Sequence, residues 1–263
     1  MKKYITVFRK SLSMQFVYNS GTLFSIISTL IFVLLQFSLW NHIVKNGDSS
    51  GAITLSSIAT YIILGLIVRN LTSVEVSDFV AGEIKSGNIE LYFVKPYSFL
   101  TFLLSRHLGT MTGSFVTRVF IIILICYPFI YSQVELNYTF FFYFVLSVLN
   151  AMALAFCIDY SIGMLAFVFV QVWPLKFLVR DIGNIFSGYF VPLWLFPSWL
   201  LVPAAVLPFK YIYFFPISIL IGEQSEKDIV GQLLIGIAWT ISLFILMRLL
   251  WSICRKRIIV QGG

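Results

Sequence analysis

Charge is scarce in this chain. Only 11% of its 263 residues are Asp, Glu, Lys or Arg, against about 25% in soluble domains, and a water-soluble fold is excluded. Histidine occurs twice, at His42 and His107, and neither has Cys, Asp or Glu at metal-ligand spacing. No His-Glu-x-x-His pattern is present, so no metal site is expected. The three cysteines, Cys126, Cys157 and Cys254, are scattered, which argues against a disulfide framework. No Gly-x-x-x-x-Gly-Lys-Ser/Thr phosphate loop occurs, so the chain cannot bind ATP through one by itself. These absences argue against an enzyme. A nucleic-acid partner would need a basic patch on a folded soluble surface, and the composition leaves none. Lys2, Lys3, Arg9 and Lys10 precede an apolar block too long for a signal-peptide core, without a small-residue cleavage site.

What fills the chain instead is apolar: 59% of residues are hydrophobic. At about 20 residues per crossing, the length accommodates roughly six spans and short loops. The expected fold is an all-α polytopic membrane protein in a single domain covering 1–263. Spans are placed near 22–40, 53–69, 111–131, 138–160, 170–192 and 229–250. The fifth is the least regular, because Pro174, Lys176, Arg180 and Asp181 interrupt it. The basic residues set the orientation. With the N-terminus cytoplasmic and an even number of crossings, fifteen of the 18 basic residues fall inside. Only Lys45, Lys210 and Lys227 are left outside. Both termini are therefore expected in the cytoplasm, together with a polar segment over 73–107.

Two regions invite a functional reading. Five prolines, Pro192, Pro197, Pro203, Pro208 and Pro216, interrupt the apolar stretch that follows Ser187-Gly188, and no single straight helix tolerates them. A wet loop would expose Trp194, Phe196 and Trp199. Short re-entrant helices over 193–222 are expected, since irregular backbone at membrane depth must be lined by protein or a cavity. The proline count favours an outer gate over a passive aromatic belt. Within the spans, Asp159 and Arg118 are the polar positions to weigh. Intramembrane carboxylates commonly couple protons or ions. Asp159 nevertheless falls about 21 residues into its span, which at about 1.5 Å per residue reaches the inner interface, and this favours a helix end near headgroups. Arg118 can snorkel to the inner surface.

The second region is Glu83-Ile84-Lys85-Ser86-Gly87-Asn88-Ile89-Glu90-Leu91-Tyr92-Phe93-Val94-Lys95-Pro96. The preceding Val74–Gly82 suits a helix lying on the inner face. Gly87 is the expected helix C-cap, Asn88 the N-cap of the next turn, and Pro96 its end. The product is a surface elbow with Glu83, Lys85, Glu90 and Lys95 exposed and Ile84, Ile89, Leu91 and Phe93 buried. From the residues alone it is either a passive connector or a lever that transmits a partner's motion.

Glu-Ile-Lys-Ser-Gly-Asn-Ile followed by Lys-Pro, between spans two and three, resembles the Glu-Ile-Arg-Ser-Gly-Xaa-Ile…Arg/Lys-Pro segment of type-2 ABC exporter permeases. The closest branch is the small bacterial one that pairs with a second permease and a separate ATPase. Ser187-Gly188 with Pro192 and Pro197, Leu207-Pro208-Phe209 and Phe215-Pro216…Gly222 resemble the same branch's outer segment, and Lys-Lys-Tyr…Phe-Arg-Lys-Ser-Leu its N-terminus. The resemblance implies a coupling role for Glu83, Ile84, Ser86, Gly87, Asn88, Lys95 and Pro96. It implies an outer gate at Ser187, Gly188, Pro192, Pro197, Pro208, Phe209 and Pro216. It further implies no cofactor in this chain, with ATP and Mg bound by a partner ATPase. The second permease would be identical or paralogous, and the setting a bacterial inner membrane across which amphipathic drugs, peptides or lipids are exported. From another class, Asp159 as the coupling group would make the chain a proton- or ion-driven secondary transporter.

Overall fold

The computed structural model describes residues 2–17, 19–46, 55–94, 98–120, 122–124, 137–169, 171–222 and 224–254. Among these residues the secondary structure is entirely helical. The principal helices are α1 (Lys2–Val17), α2 (Asn19–Asn46), α3 (Leu55–Leu71), α4 (Val76–Lys85), α5 (Leu91–Val94) and α6 (Phe99–Ser114). They continue with α7 (Tyr138–Met164), α8 (Trp173–Phe186), α9 (Ser198–Val206), α10 (Phe214–Ile221) and α11 (Glu226–Cys254).

Four stretches of the described residues are long and apolar enough to cross a membrane. They are Ser57–Lys85, Phe99–Leu124, Tyr138–Phe167 and Glu226–Cys254, and α2 carries a shorter apolar helix at Ile27–Ile43. The fold class read from composition is thus an all-helical polytopic membrane protein. Its boundaries differ from expectation at three places. The second apolar stretch, expected over 53–69, runs from Ser57 to Lys85 and so takes in α4. The third span begins at Phe99 rather than near 111, so 99–107 belongs to a helix of the bundle and not to a surface connector. Arg106 and His107 interrupt the apolar run, but the Arg106 guanidinium lies 4.0 Å over the Phe79 ring and His107 is buried 5.5 Å from Phe156. The fifth span is not one rod. α8 starts with Pro174 in its first turn, where the missing N–H costs nothing, and ends at Phe186. Its 14 residues rise about 21 Å, less than the ~30 Å hydrocarbon core.

One helix is not anticipated by the sequence reading. α1 is basic and lies against α6, where two glycines permit close approach. A Cβ on Gly109 would come 2.5 Å from the Phe8 carbonyl oxygen, and one on Gly113 would come 2.6 Å from Gln15. The Ser98 backbone N–H donates to Tyr4 Oη at 3.2 Å, pinning the start of α6 to α1. Past Ser114, α6 continues as a π-helical segment, Phe115–Val119, which packs on α3.

Four buried clusters hold the described residues together, the smallest joining Trp40 of α2 to Ile58 and Ile62 of α3. At the α4 end, Val76, Val80 and Ile89 pack with Leu103, Phe156, Tyr160, Met164 and Met247. In a second cluster, Tyr61, Leu64 and Val68 of α3 meet Val148 of α7 and Ile217 of α10. In a third, Leu154, Tyr211, Phe215 and Ile229 join α7, α10 and α11. Thr240 Oγ1 of α11 donates to Asn150 Oδ1 of α7 at 2.9 Å. Large apolar side chains such as Leu34, Leu35, Phe142 and Leu234 face outward, as in a chain whose surroundings are lipid or a second subunit.

If the glycine seam holds α1 down, Gly109→Val should pry it off. The expected cost is about 2 kcal/mol, typical of overpacking, and residues 1–17 should become protease-sensitive in detergent. Thermal melts and limited proteolysis check this.

Candidate coupling site

The elbow is built as its residues dictate. α4 ends when Gly87 turns left-handed at φ 76, a conformation that carries no Cβ penalty in glycine. The Ser86 N–H then donates to the Gly82 carbonyl at 3.0 Å and the Gly87 N–H to Ile84 at 3.1 Å, satisfying carbonyls that a helix end leaves orphaned. Asn88 opens a short 3₁₀ turn, Asn88–Glu90, without a side-chain cap, so its expected capping role is not seen. Ser86 is exposed and its Oγ donates to the Glu83 carbonyl at 3.2 Å.

Burial follows the expected pattern only in part. Ile89 is buried and Ile84 half-buried, but Leu91 is 54% exposed and Glu83 and Glu90 are half-buried. The anchor of the second limb is Tyr92 instead. Its ring lies 5.1 Å from Phe102, 5.4 Å from Phe99 and 6.2 Å from Phe79. A 3₁₀ turn advances about three residues per turn instead of 3.6, and this rotates position 91 outward and position 92 inward. The Phe93 side chain, Lys95 and Pro96 lie outside the described residues.

The first turn of α4 carries the densest polar contact among the described residues. Glu75, its N-cap residue, makes no capping hydrogen bond. Asp159 of α7 supplies the cap from another helix: Ser77 N–H donates to Oδ2 at 2.8 Å and Ser77 Oγ to Oδ1 at 2.7 Å. A carboxylate there satisfies an orphan N–H and faces the positive end of the helix dipole. Lys176 of α8 bridges the pair, with Nζ 3.7 Å from Asp159 Oδ1 and 2.5 Å from Asp78 Oδ2. Gly163 lets the backbones close, since a Cβ there would sit 3.0 Å from the Ser77 Cα. Asp159 is 8% exposed. The side chain is buried against α4 near the end of α7.

The proline-rich segment turns at Ser187-Gly188, where Gly188 has φ 84 and its carbonyl accepts from Tyr61 Oη at 2.7 Å. Ser187 is buried and its carbonyl accepts from the Phe214 N–H at 3.0 Å. Pro192 precedes a 3₁₀ turn, Pro197 caps α9, Pro208 opens another turn and Pro216 is buried inside α10. Phe209 reaches Gly183 of α8. The hub of this region is aromatic and escapes sequence reasoning: Tyr61 packs at 5.0 Å on Trp194 and 5.8 Å on Tyr213. The one advance signal is the density of Tyr, Trp and Phe. Arg118 lies on the π-helical segment, its Nε buried without a hydrogen bond among the described residues. No group of His, Cys, Asp and Glu among the described residues could hold a metal ion.

The described residues form a polytopic helical bundle in which a capped elbow follows α3. The family model described as ABC-2 family transporter protein matches residues 30–262, and the chain belongs to that family. No curated protein matches it. The chain is thus the permease component of an ABC transporter, a class that associates with an ABC ATPase and is not itself catalytic.

The cap assigns different weights to its members. Asp159→Leu removes two hydrogen bonds and leaves Lys176 and a helix-terminal N–H facing an apolar site, an expected loss of about 3 kcal/mol. Lys176→Met should cost less than about half of that, because both Ser77 bonds remain and Asp78 is largely solvated. Melting of the two purified variants should preserve this order.

Proposed function

We propose that the chain is the membrane-spanning permease of a bacterial exporter that moves an amphipathic substrate out of the cell. ATP and Mg bind in a separate ATPase subunit, and a second permease, identical or paralogous, completes the pathway. The chain sits in the inner membrane with the elbow on the cytoplasmic side. Closure of the ATPase pair pushes on the elbow, and α4 passes that displacement to α7 and α8.

The observation that carries this reading is the Asp159 cap. A lever moves a bundle only if it is tied to it, and α4 is tied by three polar contacts to two different helices. Ser86 and Gly87 at the turn, with Glu83 and Ile84 before it and Asn88 after it, form the face toward the ATPase. Lys95 and Pro96 would end it. At the other end, Ser187-Gly188 and the proline-bounded turns through Phe209 and Pro216 form the outer gate, hinged on Tyr61.

Proton or ion coupling through Asp159 is the competing reading. Both carboxylate oxygens already accept from Ser77, with Lys176 alongside. That arrangement suits a fixed structural anion better than a group that must exchange its ion every cycle.

Co-purification tests the proposal. An ATPase subunit should be retained by the wild-type chain, and retained or coupled far less by Gly87→Pro, since proline cannot adopt a positive φ. A wild-type chain that captures no ATPase, or whose transport persists without ATP, ends the exporter reading.

A further inference from the structure

Beside the Asp159 cap lies a cavity of about 440 Å³, walled by α3, α4, α7 and α8 and by the Phe209–Tyr213 turn. Its volume falls in the range of small-molecule sites. Six charged side chains line it, three of each sign: Arg69, Lys176 and Arg180, with Glu75, Asp78 and Asp159. They are not equivalent. Lys176 is already shared between Asp78 and Asp159. Glu75 and Arg180 are exposed at the rim, where water and salt screen them, and Arg180 also leans on Asp181.

Arg69 is the exception. It is half-buried at the end of α3 and forms no ion pair among the described residues. Its Nη1 donates to the buried, neutral Asn184 Oδ1 at 2.8 Å, and the guanidinium lies 4.6 Å over the Tyr189 ring. These contacts orient the fork without neutralising it. A guanidinium offers five donors in a plane that matches a carboxylate or phosphate, and a half-buried cation beside a bilayer is costly without a counter-ion. An anion suits the donors that remain. The rest of the wall is apolar, through Ile158, Phe177, Ile212 and Tyr213, and at the rim Trp173 and Phe177 stand exposed.

We propose that this cavity binds an anionic single-chain amphiphile, its acid group on Arg69 and its alkyl chain leaving past Phe177 and Trp173. As a statement of what is transported, this rests on the export reading above. The site selects by charge: an acid completes Arg69, whereas a cationic amphiphile of equal length places like charges together. The apolar exit requires the chain as well as the acid, so an inorganic anion is not held.

The test uses the full chain in phosphatidylcholine nanodiscs, with thermal midpoint as readout and dodecanoate as probe. Dodecanoate should raise the midpoint of the wild type, and dodecyltrimethylammonium and inorganic phosphate should not. Arg69→Gln should weaken the dodecanoate response by about tenfold or more, the loss expected for a charge-assisted hydrogen bond. Asn184→Asp is the second variant. It supplies Arg69 with a carboxylate from within, so it should keep the fold and abolish the response. Equal stabilisation by the cationic amphiphile, a sufficient effect of phosphate alone, or an unchanged response in both variants overturns the site. Displacement of dodecanoate by phosphatidylglycerol in the nanodisc would mean a resident lipid headgroup and overturns the substrate assignment. Binding to the chain alone needs no ATPase. Failure here therefore leaves the export reading to its own co-purification test.

Discussion

The placement of α4 on the bundle depends on one carboxylate capping a helix that is not its own. The first turn of α4 has orphan N–H groups and an N-cap residue, Glu75, that does not serve them. Asp159 takes that place through Ser77. A buried anion would ordinarily be expensive. Here two hydrogen bonds, the helix dipole and the Lys176 ammonium offset part of that cost. The same contacts fix where α4 begins, while Gly87 ends it locally.

Two kinds of interaction hold the molecule. Around α4, polar ties (Asp159 with Ser77, Lys176 with Asp78, Arg69 with Asn184) stand beside the ring contacts of Tyr92 with Phe79, Phe99 and Phe102. A second set of ring contacts centres on Tyr61 and Tyr213, where the Tyr61 hydroxyl also donates to the Gly188 carbonyl. Directional bonds transmit a displacement with a defined sense, while ring contacts of this type tolerate sliding between edge and face geometries.

Sequence reading finds the elements whose cause is local. Gly87 is legible as a helix end because only glycine takes a positive φ without penalty, and the prolines after Ser187 announce a broken segment because each removes a donor. It fails where the cause is distant. Arg106 and His107 interrupt the apolar run over 99–107 and point to a connector, yet Phe79 and Phe156 accommodate both within a helix of the bundle. α1 is not evident as a helix because its apolar stripe is short, and the seam that receives it is made by Gly109 and Gly113 of another element. Leu91 and Tyr92 exchange roles because a 3₁₀ turn shifts the helical phase.

The sequence by itself determined that the chain is a membrane protein, which blocks can cross, and where the polar elbow turns. Those follow from composition and from backbone preferences that act within a few residues. Only the tertiary structure decided that Asp159 belongs to α4, that Lys176 bridges it, and that Arg69 faces a cavity with a neutral partner. Asp159 and Ser77 are 82 positions apart and Arg69 and Asn184 115. No periodicity or spacing brings such pairs together, because their meeting depends on how whole helices pack.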